Sequence, residues 1–169
     1  MPTPSPESEI RFGYQPGIIG AATDMHARFY SRHAGFGLVF ESKLATEFAE
    51  FAGRLNKPCN GVWSAARDGR IVGTVAIDGE DMGAGVAHLR WFIVDDGLRG
   101  LGVGGRLLGK AMAFCDSGPF REAQLWTFQG LDAARCLYEL HGFRLAEERP
   151  GQQWGSEVLE QRFVRARAP

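Results

Sequence analysis

Hydrophobic residues in the first half of the chain recur at spacings that predict one strand, two helices and a hairpin. Residues 10–14 are predicted to form the first strand. Steps of three and four residues then predict two helices with one apolar stripe each, Ile18, Ala22, Met25 and Phe29 in the first and Leu44, Phe48, Phe51 and Leu55 in the second. Apolar runs over 62–66 and 71–77 flank Asp68-Gly69, a pair typical of a tight hairpin turn.

The second half alternates between strand and helix patterns. Strands are predicted over 86–94, 124–128, 143–147 and 158–164, with helices over 103–114 and 132–141 between them. Asp132 is predicted to cap the last helix, which ends before Gly142. In the strand 86–94 we expect Leu89, Trp91 and Ile93 on one face and His88, Arg90 and Phe92 on the other, unless a bulge intervenes.

The order β-α-α-β-β-β-α-β-α-β-β shows no repeat and no linker, so it predicts one α/β domain. We place this domain at residues 10–167, after a disordered N-terminal tail at 1–9 that contains Pro2, Pro4 and Pro6. The tail lacks the basic-then-apolar pattern of a secretion signal. No stretch approaches the roughly 18 apolar residues of a membrane span, so we expect a cytoplasmic protein.

Composition excludes several functional classes. The 169 residues carry a net charge of −1, which argues against nucleic acid as a partner. The three cysteines are odd in number and lack the spacing of a disulfide framework or a zinc site, and no metal is expected.

A glycine-rich turn between a predicted strand and a predicted helix is the strongest chemical signal. Glycines allow a ligand close to the backbone, and the free N–H groups at a helix start bind anions such as phosphate. A P-loop is excluded because no Gly-Lys-Ser/Thr follows the glycines. A dinucleotide fingerprint matches at Gly100, Gly102 and Gly105, but it begins five residues after the strand and follows an antiparallel meander.

Two segments together point to a known family. Arg99-x-x-Gly102-x-Gly104 resembles the acetyl-CoA pyrophosphate loop of the GNAT superfamily, whose pattern is Gln/Arg-x-x-Gly-x-Gly/Ala. Residues 134–143 are similar to the family's Ala-x-x-Leu-Tyr-x-x-x-Gly-Phe segment. The resemblance covers nearly the whole chain after residue 10. Segments 125–127 and 154–161 most resemble the acetyltransferase half of MarR–GNAT fusion proteins.

The resemblance implies the GNAT fold, a mixed and mostly antiparallel sheet of about seven strands flanked by about four helices. It implies acetyl-CoA as the acetyl donor. The pantetheine arm would pair with the strand before the loop, and the pyrophosphate would lie on the loop's N–H groups. The cofactor-binding residues carried over in this way are Phe92, Ile93, Val94, Arg99, Gly100, Leu101, Gly102, Val103, Gly104 and Gly105.

Candidate catalytic residues also follow from the resemblance. Tyr138 matches the tyrosine that protonates the departing CoA thiolate in many family members. His88 stands where histone-type enzymes carry a catalytic glutamate, and an imidazole suits the removal of a proton from an amine. Arg90 is a candidate for binding a substrate carboxylate, and Trp154 for the wall of the acceptor site. Many family members have Asn where this chain has Leu131, so the sequence departs from the family pattern at this cofactor contact.

We therefore expect direct acetyl transfer in a ternary complex to a small-molecule or peptide amine. The acceptor class stays open between amino acids, polyamines, antibiotics and peptide N-termini. Dimerisation is common in the family and is compatible with this sequence. Two rival functions remain open: a non-catalytic acyl-CoA sensor and a nucleotide-dependent oxidoreductase.

Overall fold

A computed structural model describes residues 7–169. Its elements follow the predicted order: β1 (Glu9–Phe12), α1 (Ile18–Ala34), α2 (Leu38–Ala52), β2 (Gly61–Arg67), β3 (Arg70–Asp78), β4 (Val86–Val94), α3 (Val103–Ser117), β5 (Glu122–Phe128), α4 (Asp132–Leu140), β6 (Arg144–Gly151) and β7 (Val158–Ala166). A short 3-10 turn at Asp96–Leu98 follows β4. No helix within residues 7–169 has both the length and the apolar composition needed to cross a membrane.

The strands form one seven-stranded sheet in the order β1-β2-β3-β4-β5-β7-β6, in which β4 and β5 are the parallel pair. This confirms the predicted mixed and mostly antiparallel sheet. Helices cover both faces: α3 and α4 pack on one hydrophobic cluster, and α1 and α2 on the other. The predicted hairpin turn is also present, since Asp68 and Gly69 have φ values of 50° and 74°.

The two parallel strands separate after a short paired stretch. Val86, Ala87 and His88 pair with residues 122–124, and the ladder between β4 and β5 ends there. Each strand then continues with its other neighbour, β4 with β3 and β5 with β7. A gap therefore opens in the sheet at the carboxyl ends of β4 and β5. Such a gap leaves backbone groups of β4 without a strand partner on that side.

A β-bulge in β4 changes which side chains face the gap. Trp91 and Phe92 together oppose Val75 of β3, and Trp91 has a φ of 49°. The Thr74 hydroxyl donates a hydrogen bond to the Trp91 carbonyl at 2.8 Å. The alternation predicted for β4 made an exception for a bulge, and this bulge places Trp91 on the face opposite Leu89. Trp91 packs in the cluster under α1 and α2, whereas Phe92 packs with Leu89 on the opposite face.

Other differences from the prediction lie at element ends. The first strand begins at Glu9, one residue before the predicted domain start, and ends at Phe12. Ser8 is buried, and the rest of the predicted tail, residues 1–6, lies outside the described residues. The N-cap position of α4 is Leu131, with no side-chain hydrogen bond, so Asp132 is a first-turn residue and not the predicted cap. An acidic side chain there still favours the helix through its dipole.

Candidate active site

The glycine loop between β4 and α3 presents backbone N–H groups. Gly100 and Gly102 have φ values of 81° and 79°, a left-handed conformation that glycine adopts without strain. The helix α3 starts directly after Gly102 and has no side-chain cap. The first N–H groups of a helix have no partner within it, and the helix dipole makes this end attractive to anions. The loop therefore has the geometry of a phosphate site.

A cavity of about 450 Å³, here called the larger cavity, lies between this loop, β4 and α4. All but one of the predicted cofactor-binding residues line it: Phe92, Ile93, Val94, Arg99, Gly100, Gly102, Val103, Gly104 and Gly105. Leu101 is the exception, since its side chain is 64% exposed and lies outside the lining. Leu131 and Asp132 also line the cavity.

Gly104 is a position at this helix start where a side chain would be crowded. A Cβ atom at this position would lie 3.2 Å from the side chains of both Leu137 and Phe92. Both neighbours line the cavity, so a larger residue would push them into the space that a ligand needs. Arg99 also lines this cavity; its guanidinium lies 4.1 Å from the ring centre of Phe29 and pairs with Asp96 at 2.9 Å.

A second cavity of about 150 Å³, here called the smaller cavity, lies toward α1 and α2. It brings together three residues that the sequence proposed separately, His88, Arg90 and Trp154. Lys43 and Glu47 of α2 join them at the polar end. Aromatic side chains form most of the remaining wall: Tyr30, Phe36, Phe40, Trp91, Phe92, Trp126, Phe128 and Tyr138.

The two cavities meet at three aromatic residues. Tyr30, Phe92 and Tyr138 line both cavities, and the rings of Phe92 and Tyr138 are 5.8 Å apart. Tyr138 is only 7% exposed, and burial raises the pKa of its phenol far above the usual value of about 10. Burial also raises the pKa of Tyr30 to about 12, although the positive charge of Arg99 opposes the shift. Both phenols therefore keep their protons at neutral pH.

Tyr30 is a site residue that the sequence analysis missed. The apolar stripe predicted for α1 runs through Met25 and Phe29. A second row of residues on the same helix lies beside this stripe and was not considered. Ala22, His26 and Tyr30 follow each other at four-residue spacing, which places them on one face. The sequence signal that could have identified this face is the alignment of His26 and Tyr30, two polar aromatic residues, with the apolar Ala22.

His88 is held by a carboxylate. Its Nδ1 lies 2.7 Å from Oδ2 of Asp81, and the His88 side chain is 14% exposed. A carboxylate at Nδ1 fixes the orientation of the ring and leaves Nε2 as the second functional nitrogen. This Asp–His pair lies at the end of the β4–β5 ladder, where the two strands begin to separate.

Arg90 is embedded among acidic side chains. It pairs with Glu47, and its guanidinium lies 3.4 Å from Asp81 and 3.9 Å from the fully buried Asp78. It also stacks on the Trp91 ring, with the guanidinium carbon 4.2 Å from the ring centre. Arg90 is therefore fixed at the polar end of the smaller cavity by partners on three sides.

Two further observations concern cysteine and metal chemistry. Cys136 is exposed and lines the larger cavity two residues before Tyr138. Burial raises the pKa of the Cys115 thiol to about 12, so this residue stays a protonated core side chain. In the described part of the chain, no group of three or more His, Cys, Asp or Glu side chains could hold a metal ion.

Solved structures share this architecture. The protein yncA from Salmonella typhimurium, solved with its cofactor acetyl-CoA, matches 97% of this chain and 96% of its own with a TM-score of 0.77 and 13% identity. A GNAT-family acetyltransferase from Streptococcus pneumoniae matches 95% of this chain and 100% of its own, with a TM-score of 0.66 and 19% identity. A ribosomal-protein-alanine N-acetyltransferase from Brucella melitensis matches 94% of this chain and 99% of its own, with a TM-score of 0.73 and 17% identity. At these identities the likeness establishes the fold.

Sequence comparison establishes the family. No curated protein matches this sequence significantly. The model of the family described as "Acetyltransferase (GNAT) family" matches residues 21–143, which include the glycine loop and α4. The finer resemblance to MarR–GNAT fusion proteins is not supported by these matches and stays a prediction. The matched segment is well over half of the chain, so this protein belongs to the GNAT family of acetyltransferases.

Proposed function

We propose that this protein transfers the acetyl group of acetyl-CoA to a primary amine while both substrates are bound. The single observation that carries the proposal is the meeting of two cavities at Tyr30, Phe92 and Tyr138. One cavity has the shape and the N–H donors for a phosphate-bearing ligand, and the other has the size of a small acceptor. Reaction by direct transfer requires two such sites that share one point.

The larger cavity suits acetyl-CoA in its residues as well as its size. Gly102–Gly105 would hold the pyrophosphate through N–H groups, and Phe92–Val94 would hold the pantetheine arm along the unpaired side of β4. When bound, acetyl-CoA supplies an activated acetyl thioester. The bulge at Trp91 supports this assignment because it turns Phe92 toward the junction of the cavities.

Tyr138 is proposed as the proton donor to the CoA sulfur. Its phenol lies at the junction and stays protonated because burial raises its pKa. The same burial disfavours an anionic thiolate, so the CoA sulfur becomes more basic here than in water and can take the phenol's proton as its bond to the acetyl carbon breaks. The exposed Cys136 is a competitor for a covalent route, so failure to trap an acetylated cysteine with acetyl-CoA alone would support direct transfer.

His88 is proposed to accept the proton of the incoming ammonium, directly or through water. The support is its Asp81 partner at 2.7 Å and its place in the lining of the smaller cavity. His88 lies four positions before Phe92 on β4, with the bulge at Trp91 between them, so the two side chains are separated along the strand. A water relay between His88 and an amine at the junction fits this separation.

Arg90 and Trp154 are proposed as acceptor-binding residues. Trp154 packs against Phe128 with ring centres 5.5 Å apart and closes the aromatic end of the smaller cavity. Arg90 would bind a substrate carboxylate by exchanging it for its present partner Glu47. The same Glu47 offers a counter-ion to a cationic acceptor.

Dimer formation and a cytoplasmic location stay predictions.

Binding and turnover test the proposal together. Calorimetry with CoA, acetyl-CoA and NAD(P) measures which cofactor binds, and thiol release measures turnover with amino acids, polyamines, aminoglycosides and short peptides. A peptide beginning with alanine belongs in the panel because of the name of the Brucella neighbour. Micromolar CoA binding with amine-dependent thiol release is the expected result. CoA binding without turnover would favour the sensor, and NAD(P) binding without CoA binding would overturn the acetyltransferase proposal.

A further inference from the structure

The smaller cavity contains a histidine that the proposed mechanism does not use. His26 of α1 is 5% exposed and lines this cavity, and its ring stacks on Tyr30 with centres 6.0 Å apart. Tyr30 lies at the junction of the two cavities. His26 is therefore one aromatic ring away from the place where the proposed function brings the amine to the thioester.

The hydrogen bond on the inner side of the ring determines what His26 offers to the cavity. Nδ1 lies 2.7 Å from the carbonyl oxygen of Ala22, and because a carbonyl can only accept, Nδ1 carries the proton. Burial lowers the pKa of His26 to about 4, although the bond to Ala22 opposes the shift, so the ring is neutral at pH 7. In this tautomer Nε2 is a hydrogen-bond acceptor only.

Nε2 has no hydrogen-bond partner among residues 7–169, yet it is not sealed inside the protein. Within the described residues the one fully buried side-chain polar atom without a partner is Ser64 Oγ. Nε2 therefore keeps some accessible surface, and the smaller cavity is the space that His26 lines. The charged groups of the same cavity are already engaged, Lys43 with Glu47 at 2.5 Å and Arg90 with Glu47. An acceptor atom in an aromatic wall is complementary to an N–H donor on the occupant.

We propose that His26 Nε2 accepts a hydrogen bond from the attacking amine of the acceptor and so orients its lone pair toward the thioester. The inference rests on the proposed function. A neutral primary amine has two N–H bonds and one lone pair, so one N–H can bind Nε2 while the lone pair stays free to attack. His88 and its Asp81 partner would take the proton of the ammonium, and His26 would hold the amine that results.

Two variants separate the two nitrogens of His26. In His26→Asn the side-chain NH₂ lies near the place of Nδ1 and can still bind the Ala22 carbonyl, but the acceptor facing the cavity is lost. In His26→Gln the longer side chain brings a carbonyl oxygen near the place of Nε2. We expect the Asn variant to lose about 10- to 100-fold in kcat/KM for the amine, and the Gln variant to recover to within about fivefold of wild type.

The assay is thiol release from acetyl-CoA above the rate without enzyme, with methylamine as a minimal amine and with the best acceptor of the amine panel. Acetyl-CoA affinity is measured beside it and should stay at the wild-type value, because His26 lines the smaller cavity and not the larger one. The thermal midpoints of both variants show how much each replacement disturbs the packing around this buried ring. Equal turnover in wild type and the Asn variant would overturn the inference and leave the proposed function standing. Equal losses in both variants would overturn it as well, since they indicate a packing role. A wild type that releases no thiol with any amine would refute the proposed function itself, and the inference with it.

Discussion

The conformation of Gly102 gives the sharpest test of the cofactor loop. With a φ of 79°, this residue is in the left-handed region, and an added Cβ would meet nothing within 4 Å. In Gly102→Val the cost is therefore backbone strain without a steric clash, about 1–2 kcal/mol for an L-residue and at the upper end for a β-branched one. The loop is exposed and can relax out of this conformation, and CoA would then have to restore it on binding. A cost of 1–2 kcal/mol corresponds to roughly 5- to 30-fold weaker CoA binding.

Gly69 supplies a matched control for this experiment. It has a φ of 74° and open space around its Cβ position, but it lies in the hairpin turn between β2 and β3 and lines neither cavity. Gly69→Val should lower the free energy of unfolding by about 1–2 kcal/mol and leave CoA affinity unchanged. Calorimetric titration of CoA and urea unfolding of both variants provide the comparison. CoA binding by Gly102→Val within twofold of wild type would refute the role of this loop.

Three further predictions address the catalytic groups. Tyr138→Phe should lower kcat at least about 100-fold with acetyl-CoA affinity unchanged, and a kcat near wild type would exclude it as the proton donor. Asp81→Asn removes the carboxylate that orients His88, so kcat/KM for the amine should fall about tenfold, and an unchanged pH–rate profile would count against His88. For His26, whose pKa burial lowers from 6.5 to about 4, the unfolded chain binds the extra proton first as the pH falls. The free energy of unfolding should therefore decrease by up to about 3 kcal/mol between pH 6.5 and 4, and urea unfolding of His26→Asn should lack this part of the slope.

Much of the fold could be predicted because its signals are local. Apolar periodicity gave the order of all seven strands and four helices, since each amphipathic element must bury one face. Asp68-Gly69 specified its turn because both residues tolerate a positive φ. The spacing of Arg99, Gly102 and Gly104 indicated the phosphate loop for a similar reason, since a strand, a left-handed glycine and a helix start are all encoded within a few residues.

The differences arise where one element depends on another. The bulge at Trp91 exists only in the register between β3 and β4, where Thr74 binds its carbonyl, so the alternation of β4 alone could not reveal it. Leu101 was carried over with its neighbours for its backbone N–H and stays a predicted cofactor contact, although its side chain is exposed and lies outside the lining of the larger cavity. The exposure of one side chain within a loop follows from the path of the backbone, and the motif does not record that path.

The sequence by itself determined the elements, the glycine loop and the family of this protein, because periodicity, turn chemistry and motif spacing are properties of neighbouring residues. Only the tertiary structure decided which side chains share a cavity. Tyr30 and His26 come from α1, more than 50 residues before Phe92, and they reach the site because α1 packs across β3 and β4 beside the gap between β4 and β5. Contacts between residues so far apart depend on how helices pack on the sheet, and no local pattern encodes that arrangement.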